Sequence, residues 1–171
     1  MNDSAFEKEN ISDNRFHKLT LPPVNLKVTR SDGIIKVFDP LRRKLVALTP
    51  EEFVRQHFVA WLMSAKGYPS SLLANELSLH VNGRRRRCDT VAFSPEGETL
   101  LIVEYKAPTV DVTQDVFDQI VRYNMALRSR YLIVSNGIRH YCCSIDYKTA
   151  SYNFVADIPT YQSLRRYSCD N

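Results

Sequence analysis

The sequence predicts an α/β (α+β) fold in which a mixed sheet is flanked by helices, with core elements in the order αβββαβ. Three strand-like runs between residues 75 and 108 are separated by the turn signals Asn82-Gly83 and Glu96-Gly97, which is typical of an antiparallel meander. Runs with helical spacing precede and follow this meander. The strand after the second helix requires a crossover connection, so we expect it to pair in parallel within the same sheet.

The length and composition suit one compact domain. The chain has 171 residues, 44% of them hydrophobic, and a formal charge of +4. We assign residues 1–20 to a disordered polar lead-in, 21–158 to the domain and 159–171 to a polar tail. The four cysteines lack metal-site and disulfide spacing, and no glycine-rich nucleotide-binding loop occurs. With no apolar run typical of a signal peptide or bilayer span, we expect a cytoplasmic protein without a membrane partner.

An amino-terminal β arm is expected before the core. The segments NLKVT and IIKVF are typical of two strands that turn at residues 31–33, and Asp39-Pro40 marks a second turn. We expect this arm to pack across the main sheet.

The first helix has strong start and stop signals. Thr49 is a typical N-cap, Pro50 suits the first helical position, and Glu52 completes a capping box. The helix is expected to end near Lys66, before Gly67. We favour a Glu52 that closes the cap, with the alternative that it points toward the carboxylates described next as an accessory acidic residue. The expected buried face comprises Phe53, Val54, Phe58, Trp61, Leu62 and Ala65.

Counting residue pairs outward from the two hairpin turns places three carboxylates in one row across the strands. Counting outward from a two-residue loop at residues 82–83 puts Glu76 opposite Asp89. Counting outward from a tight loop closed by residues 95 and 98 puts Asp89 opposite Glu104. A bulge at either turn shifts these counts by one residue.

The carboxylate row predicts a cation site. Lys106 lies two residues beyond Glu104 and therefore on the same face of its strand. Neighbouring carboxylates that are partly buried are costly unless a cation neutralises them, and oxygen ligands suit Mg²⁺ or Mn²⁺. The alternative is a solvated charge ladder, in which Glu76 and Glu104 pair with Lys106, Arg85 and Arg87.

Basic residues are clustered in two places. Residues 84–87 are four arginines directly after the first turn of the meander, and residues 42–44 form a second cluster. Such runs often contact phosphates, although a solvated edge strand protected from aggregation explains them equally well. The candidate nucleic-acid-binding residues of the first run are Arg84, Arg85, Arg86 and Arg87.

The second helix is expected from Thr109 to about Arg130, opened by Asp111 or Thr113. Gln119 is four residues before Tyr123, so the two side chains share one side of this helix. After it, YLIVS and IRHYCCSIDY flank a turn at residues 136–137, and SYNFVADI is a candidate edge strand. The expected apolar face comprises Val116, Ile120, Tyr123 and Leu127.

The motif set resembles the PD-(D/E)xK nuclease superfamily. It consists of an acidic residue on the second strand, E-Y-K on the third and Q-I-V-R-Y on the following helix. Within that superfamily, four segments are similar to the amino-terminal nuclease domain of type I restriction enzyme R subunits in its short stand-alone form, namely FDPLRRKLVALTPEEFVRQ, RRRRCDTVAF, LLIVEYKAP and DQIVRYN. The similarity covers roughly residues 35 to 145 and implies a restriction-endonuclease-like αβββαβ core, with the β arm before it and added strands after it.

This resemblance implies a metal-dependent nuclease that hydrolyses DNA phosphodiester bonds with Mg²⁺ or Mn²⁺. A metal lowers the pKa of the attacking water, and a lysine beside the metal can transfer protons or stabilise developing charge. Taken singly, Gln119 is more often a surface helix residue and Tyr123 more often a core residue. The alternative for Lys106 is that it only snorkels from the sheet. The implied roles are catalytic for Asp89, Glu104, Lys106 and Gln119, metal-binding for Asp89, Glu104 and Glu76, and phosphate-positioning for Tyr123.

Two departures from the family pattern affect which family properties can be assigned to this chain. Cys88 replaces the proline that usually precedes the aspartate, which changes little. Type I R subunits also carry an ATP-driven translocase, and no such motif is present here. The way in which those proteins select their target is therefore not assigned to this chain. Expected partners are DNA, other restriction-modification subunits and, for cutting both strands, a second copy of the chain. The alternative function is a non-catalytic nucleic-acid-binding or restriction-complex interaction module of the same fold.

Overall fold

A computed structural model describes residues 16–81, 84–124 and 128–169 of the chain. Within these ranges the elements form a small three-stranded sheet, a six-stranded sheet and three α-helices. The strands are β1 Val28–Ser31, β2 Ile34–Asp39, β3 Lys44–Ala47, β4 Leu73–Val81, β5 Arg84–Phe93, β6 Thr99–Tyr105, β7 Tyr131–Ser135, β8 His140–Asp146 and β9 Ser151–Phe154. The helices are α1 Pro50–Ala65, α2 Gln114–Asn124 and α3 Tyr161–Cys169, with a 3-10 turn at Ser70–Leu72.

The six-stranded sheet has the order β4-β5-β6-β7-β8-β9, so each strand neighbours the next along the chain. The β6–β7 pair is parallel and the other pairs are antiparallel. The α2 crossover makes this parallel pairing possible, because parallel strands cannot be joined by a tight turn. The predicted meander, the parallel pair and the αβββαβ order are therefore confirmed.

The amino-terminal arm is a three-stranded antiparallel sheet of β1, β2 and β3. The sequence predicted two of these strands, and β3 adds a third that the patterning did not indicate. Its apolar residues cluster with Phe53 at the start of α1, so the arm packs against this helix rather than across the main sheet. The buried members of this cluster are Val28, Ile35, Val37 and Leu48.

The hairpin register agrees with the sequence count at the acidic residues. Asn75 pairs with Thr90 and Leu77 with Cys88, so Glu76 lies opposite Asp89. On the other side of β5, Thr90 pairs with Val103. The next residues along the two strands, Asp89 and Glu104, therefore lie opposite each other, as predicted. The predicted turn at residues 82–83 lies outside the described residues.

The turn between β5 and β6 differs from the predicted one. The backbone N–H of Ser94 donates to the carbonyl of Glu98 at 2.9 Å, so the loop closes one residue earlier than the pair 95 and 98. An irregularity between Ala92 and Phe93 then shifts the register back by one residue. The two deviations cancel, which is why the count still aligned the acidic residues correctly.

The first helix begins as predicted but buries polar residues as well as apolar ones. Thr49 accepts a hydrogen bond from the Glu52 N–H at 3.1 Å, which forms half of the capping box. The expected apolar face is only partly right, because Ala65 is exposed. The buried residues of α1 are Glu52, Val54, Arg55, Gln56, His57, Phe58, Val59 and Leu62.

The other two helices depart from the sequence expectation. The second helix begins at Gln114 rather than Thr109, and of the two predicted opening residues it is Thr113 that caps it, with Phe117 N donating to the Thr113 carbonyl at 3.0 Å. Its buried residues are Phe117 and Val121, one position after the predicted Val116 and Ile120. Leu127, also predicted on that face, lies outside the described residues, as does the Tyr123 side chain.

The segment 159–171 contains α3 rather than a polar tail alone. Tyr161 and Leu164 are buried in the same apolar cluster as Phe58 and Leu62 of α1. Sparse apolar positions between polar ones concealed this helix in the sequence. None of the helices in the described ranges combines the length and apolar character needed to cross a bilayer.

The two faces of the large sheet carry separate apolar clusters. Val103 and Tyr105 of β6 pack in the cluster that contains the apolar residues of α1. Ile102 packs in the cluster that contains Phe117 of α2. Side chains alternate between faces along a strand, so Glu104 follows Ile102 on the face that α2 covers.

Candidate active site

The site lies where β5 separates from β6. The paired part of these strands ends at Thr90 and Val103, one residue before Asp89 and Glu104. The Asp89 carboxylate then takes the place of a backbone carbonyl, because its Oδ2 accepts a hydrogen bond from Tyr105 N at 2.8 Å. A polar side chain thus satisfies a strand N–H at this point and is fixed against β6.

Glu104 is held in an unfavourable electrostatic environment. Its Oε1 is buried and has no hydrogen-bond partner among the described residues. Burial, followed by the negative charge of Asp89, raises the pKa of Glu104 to about 8. The positive charge of half-buried Lys106 acts on the same carboxyl group in the opposite direction. Asp89, Glu104 and Lys106 are therefore electrostatic neighbours, as the register count predicted.

A buried arginine of α1 is the central cation of this region. The Arg55 side chain is 3% exposed, and its Nη1 lies 2.7 Å from Glu52 Oε2 and 2.6 Å from Glu76 Oε1. Its Nη2 lies 3.2 Å from Asp89 Oδ1 and 3.9 Å from Glu51 Oε1. Burial disfavours the charged guanidinium, but these carboxylates outweigh it and raise the pKa of Arg55 above its ordinary value. We call Glu51, Glu52, Glu76, Asp89 and Glu104 the acidic cluster.

Glu52 belongs to the acidic cluster and does not close the helix cap. Its Oε1 accepts hydrogen bonds from Arg42 Nη2 at 2.6 Å and Gln56 Nε2 at 2.8 Å, and its Oε2 accepts from Arg55. The Thr49 N–H, which a full capping box would give to Glu52, instead donates to the Ala47 carbonyl at 3.1 Å. The favoured interpretation of Glu52 was therefore wrong, because buried Arg55 and partly buried Arg42 attract its carboxylate more strongly than a backbone N–H does.

A buried hydrogen-bond chain connects the arm to the core beside this site. Arg42 donates to Asp39 Oδ2, which also accepts from Asn75 Nδ2 at 2.9 Å. Asn75 Oδ1 accepts from Thr90 Oγ1 at 2.7 Å, and Thr90 accepts from the Tyr105 hydroxyl at 3.1 Å. Buried polar groups of this kind must be satisfied together, so the chain fixes the relative positions of the arm, β4, β5 and β6.

Glu76 is engaged by two arginines. Its Oε1 contacts Arg55, and its Oε2 pairs with Nε of Arg87, whose side chain is 67% exposed. Glu76 also adopts a φ of 56°, a conformation that is costly for a residue with a side chain and interrupts the regular β4 strand. The alternative pairing of Glu76 with Arg87 is thus present, whereas Arg85 donates to Ser78 Oγ at 3.0 Å.

The remaining predicted residues are placed less centrally. Gln119 is exposed on α2, and the hydrogen bonds found within the described ranges do not include its side chain. The side chains of Arg84, Arg86 and Tyr123 lie outside the part that the structure describes. The structure therefore brings together Glu52, Glu76, Asp89, Glu104 and Lys106 of the predicted set.

Two members of the site, Arg55 and Glu51, were not predicted from the sequence. Arg55 follows buried Val54 and precedes buried Phe58, so its position on the helix was itself a signal of burial. The two residues are four apart and face each other on α1. Burial and the charge of Asp89 raise the pKa of Glu51, although its side chain is 45% exposed.

The donor chemistry of Asp89 and Glu104 fits a hard divalent cation. Across the residues that the structure describes, no group of three or more acidic, histidine or cysteine side chains is arranged to hold a metal ion. Mg²⁺, however, commonly uses one or two carboxylates and completes its shell with water and substrate phosphates. The unpartnered buried Oε1 of Glu104 is an oxygen that such an ion would satisfy.

Comparison with known proteins identifies the family. Residues 50–159 match the family described as the type I restriction enzyme R protein N terminus. A solved fragment assigned to an HsdR subunit of a type I restriction enzyme from Vibrio vulnificus YJ016 is 19% identical, with a TM-score of 0.51. The alignment covers 70% of this chain and 25% of that one, and it confirms the predicted fold class. Curated proteins gave no match. Because the match spans more than half of its length, this chain belongs to the type I restriction enzyme R protein N-terminal family.

Proposed function

We propose that this chain is a Mg²⁺- or Mn²⁺-dependent nuclease that hydrolyses DNA phosphodiester bonds. The observation that carries the proposal is the Asp89–Glu104 pair, in which a buried carboxylate oxygen finds no hydrogen-bond partner within the described ranges. Membership of the R protein family and the neighbouring Lys106 support the same chemistry. A bound divalent ion would lower the pKa of an attacking water and offset charge on the phosphate.

The protein's own residues have distinct roles in this proposal. Asp89 and Glu104 hold the ion through oxygen atoms, and the Asp89–Tyr105 hydrogen bond fixes the orientation of the first carboxylate. Lys106 supplies a positive charge beside Glu104, where a phosphate oxygen gains negative charge during hydrolysis. Its backbone N–H donates to Ser135 at 2.9 Å, which anchors the lysine to β7. Gln119 and Tyr123 remain proposed phosphate-positioning residues on α2.

The exposed face of the β4–β5 hairpin is the proposed DNA contact. Arg85 is exposed, and Arg87 is 67% exposed although it pairs with Glu76. The four arginines at residues 84–87 directly precede Cys88 and Asp89 on β5, so phosphates bound along the strand would lead toward the acidic pair. A cytoplasmic location, restriction-modification subunits as partners and a second copy of the chain complete the proposal.

A second candidate function is a non-catalytic DNA-binding module. The observation that favours it is the Arg55–Asp89 contact, because an internal cation already neutralises part of the acidic cluster. This module would bind DNA in a salt-sensitive way without a divalent ion, and binding would persist after Lys106→Ala.

A cleavage assay with supercoiled, linear and single-stranded DNA in Mg²⁺, Mn²⁺ or EDTA separates the two functions. The nuclease proposal predicts that Asp89→Asn, Glu104→Gln and Lys106→Met each lower cleavage by about 100-fold or more, as loss of metal or charge stabilisation does in comparable sites. Glu98→Gln, at an exposed turn on the same hairpin, is the matched control and should retain activity. Cleavage that is insensitive to EDTA and to all three substitutions would refute the proposed site. Binding without cleavage would favour the second candidate.

A further inference from the structure

We propose that Arg55 is the resident counter-ion of the acidic cluster, which holds Asp89 and Glu76 in place without a divalent ion and competes with such an ion for Asp89. The competition rests on the proposed metal site. The structural role of Arg55 rests on its own contacts.

The contacts of Arg55 divide into a tight anchor and a looser one. Nη1 lies 2.6–2.7 Å from Glu52 and Glu76, which are distances of strong charge-assisted hydrogen bonds. Nη2 lies 3.2 Å from Asp89, at the long end of the hydrogen-bond range. The guanidinium is thus fixed by two glutamates and can release Asp89 without leaving the cluster.

Two buried atoms near this contact lack partners. Apart from residues that the structure does not describe, Arg55 Nε and Glu104 Oε1 are buried without a hydrogen bond. Because the Arg55 side chain is only 3% exposed, an unmet donor there is costly. The Arg55 guanidinium also lies 5.6 Å from the Tyr105 ring centre, which keeps it beside the strand that carries Glu104.

The charges explain why Arg55 and a divalent ion oppose each other. Four carboxylates lie within 4.0 Å of Arg55, namely Glu51, Glu52, Glu76 and Asp89. Without a cation among them, these acids would repel one another in a partly buried site. An ion bound by Asp89 would face the fixed positive charge of Arg55 a few ångströms away, which weakens its binding. Arg55 therefore supports the folded site and limits its affinity for metal.

The test compares buried Arg55 with partly buried Arg42, since both arginines contact Glu52. Arg42 contacts Glu52 at 2.6 Å, as Arg55 does at 2.7 Å, but its second carboxylate is Asp39 rather than Asp89. Arg55→Gln and Arg42→Gln are each expected to lower the melting temperature in EDTA by roughly 5–10 °C, because carboxylates lose a buried partner. Saturating Mn²⁺ stabilises any variant whose metal site is intact, so each variant is compared with the wild type under the same conditions. The deficit in melting temperature relative to the wild type should shrink by at least half in Arg55→Gln and stay unchanged in Arg42→Gln.

Calorimetric titration with Mn²⁺ provides the second measurement. Arg55→Gln should bind Mn²⁺ about tenfold more tightly than the wild type or more, and adding Asp89→Asn should abolish the gain. If Arg55→Gln does not fold, Arg55→Lys retains the charge but places it on a single nitrogen at the end of a shorter side chain. It therefore cannot reproduce the two-nitrogen contacts to Glu52, Glu76 and Asp89, and a smaller gain in affinity is expected. Arg139→Gln, at an exposed turn, controls for the loss of a positive charge.

The outcomes separate this inference from the nuclease proposal. Suppose that the wild type binds Mn²⁺ through Asp89 and that both Arg55 variants bind it no more tightly than the wild type. That result would overturn the counter-ion role and leave the nuclease proposal standing. Mn²⁺ binding by Arg55→Gln but not by the wild type would support the counter-ion role and contradict metal-dependent catalysis. Absence of binding in all variants would overturn both.

Discussion

At the residue scale, the most informative side chain is Glu104. It lies in the sheet where burial and Asp89 both oppose its ionisation, so its pKa rises to about 8 from 4.5. A carboxyl group that contributes only to stability would gain from a hydrogen bond here, yet the buried Oε1 has none among the residues described. An acid that weakens the fold in this way is what the proposed metal site requires, because a bound cation would satisfy the charged carboxylate.

The raised pKa of Glu104 makes a prediction about stability and pH. Between pH 4.5 and 8 the folded state retains a proton that the unfolded state releases, so this group costs stability as the pH rises through that window. Glu104→Gln removes the cost, and its stability relative to the wild type should rise by up to about 1.4 kcal/mol per pH unit there. Urea unfolding at pH 5, 6.5 and 8 in EDTA measures the difference.

A difference that is constant from pH 5 to pH 8 would contradict this assignment. Glu98→Gln is again the control, since it removes a carboxyl group on an exposed turn of the same hairpin. EDTA is needed because a bound cation would stabilise the charged form of Glu104 and shift its titration downward.

At the element scale, the docking of α1 on the sheet determines which charged side chains come into contact. The helix packs Val54, Phe58 and Leu62 against the sheet, and the same docking brings Arg55 to Asp89 of β5. The turn between β7 and β8 contacts α1 closely as well. A Cβ atom on Gly137, whose φ is 82°, would lie 2.7 Å from Leu19 and 3.0 Å from Val54. The Gly137 carbonyl also accepts a hydrogen bond from Thr20 N at 2.9 Å.

Gly137→Ala is therefore expected to loosen the contact between this turn and α1. Gly97 is the matched comparison, because its φ is 86° but a Cβ atom added there would have no neighbouring atom within 4 Å among the described residues. Gly97→Ala should cost about 1–2 kcal/mol for the backbone alone. Gly137→Ala should cost about 1–3 kcal/mol more, because it also overpacks the core. Equal destabilisation of the two variants in urea unfolding would show that the turn adapts without strain.

At the scale of the whole molecule, segments distant in sequence complete the core. The last helix, α3, packs Tyr161 and Leu164 into the cluster that α1 forms with the sheet. Tyr161 N donates to the Lys66 carbonyl at 2.9 Å, and its hydroxyl donates to the Phe93 carbonyl at 3.0 Å. The segment predicted as a tail is therefore tied to the end of α1 and the end of β5.

Leu164→Ala tests this contribution of α3. The side chain is 1% exposed, so its truncation should cost about 2–5 kcal/mol of unfolding free energy. Arg165→Ala should cost less than about 1 kcal/mol, because that side chain is 49% exposed and its contact with Glu96 spans 3.9 Å. Thermal or urea unfolding compares the two variants. A loss below about 1 kcal/mol for Leu164→Ala would mean that α3 adds little to the core.

Local sequence patterns were sufficient to predict the order of the core elements and the alignment of Asp89 with Glu104. Turn signals and strand alternation act over a few residues, so they can be counted along the chain. The position of the Arg55 guanidinium among the carboxylates, in contrast, is determined by tertiary packing. Arg55 and Asp89 are 34 residues apart, and their contact depends on how α1 docks on the sheet. That docking follows from apolar burial summed over the whole core, which no local pattern records.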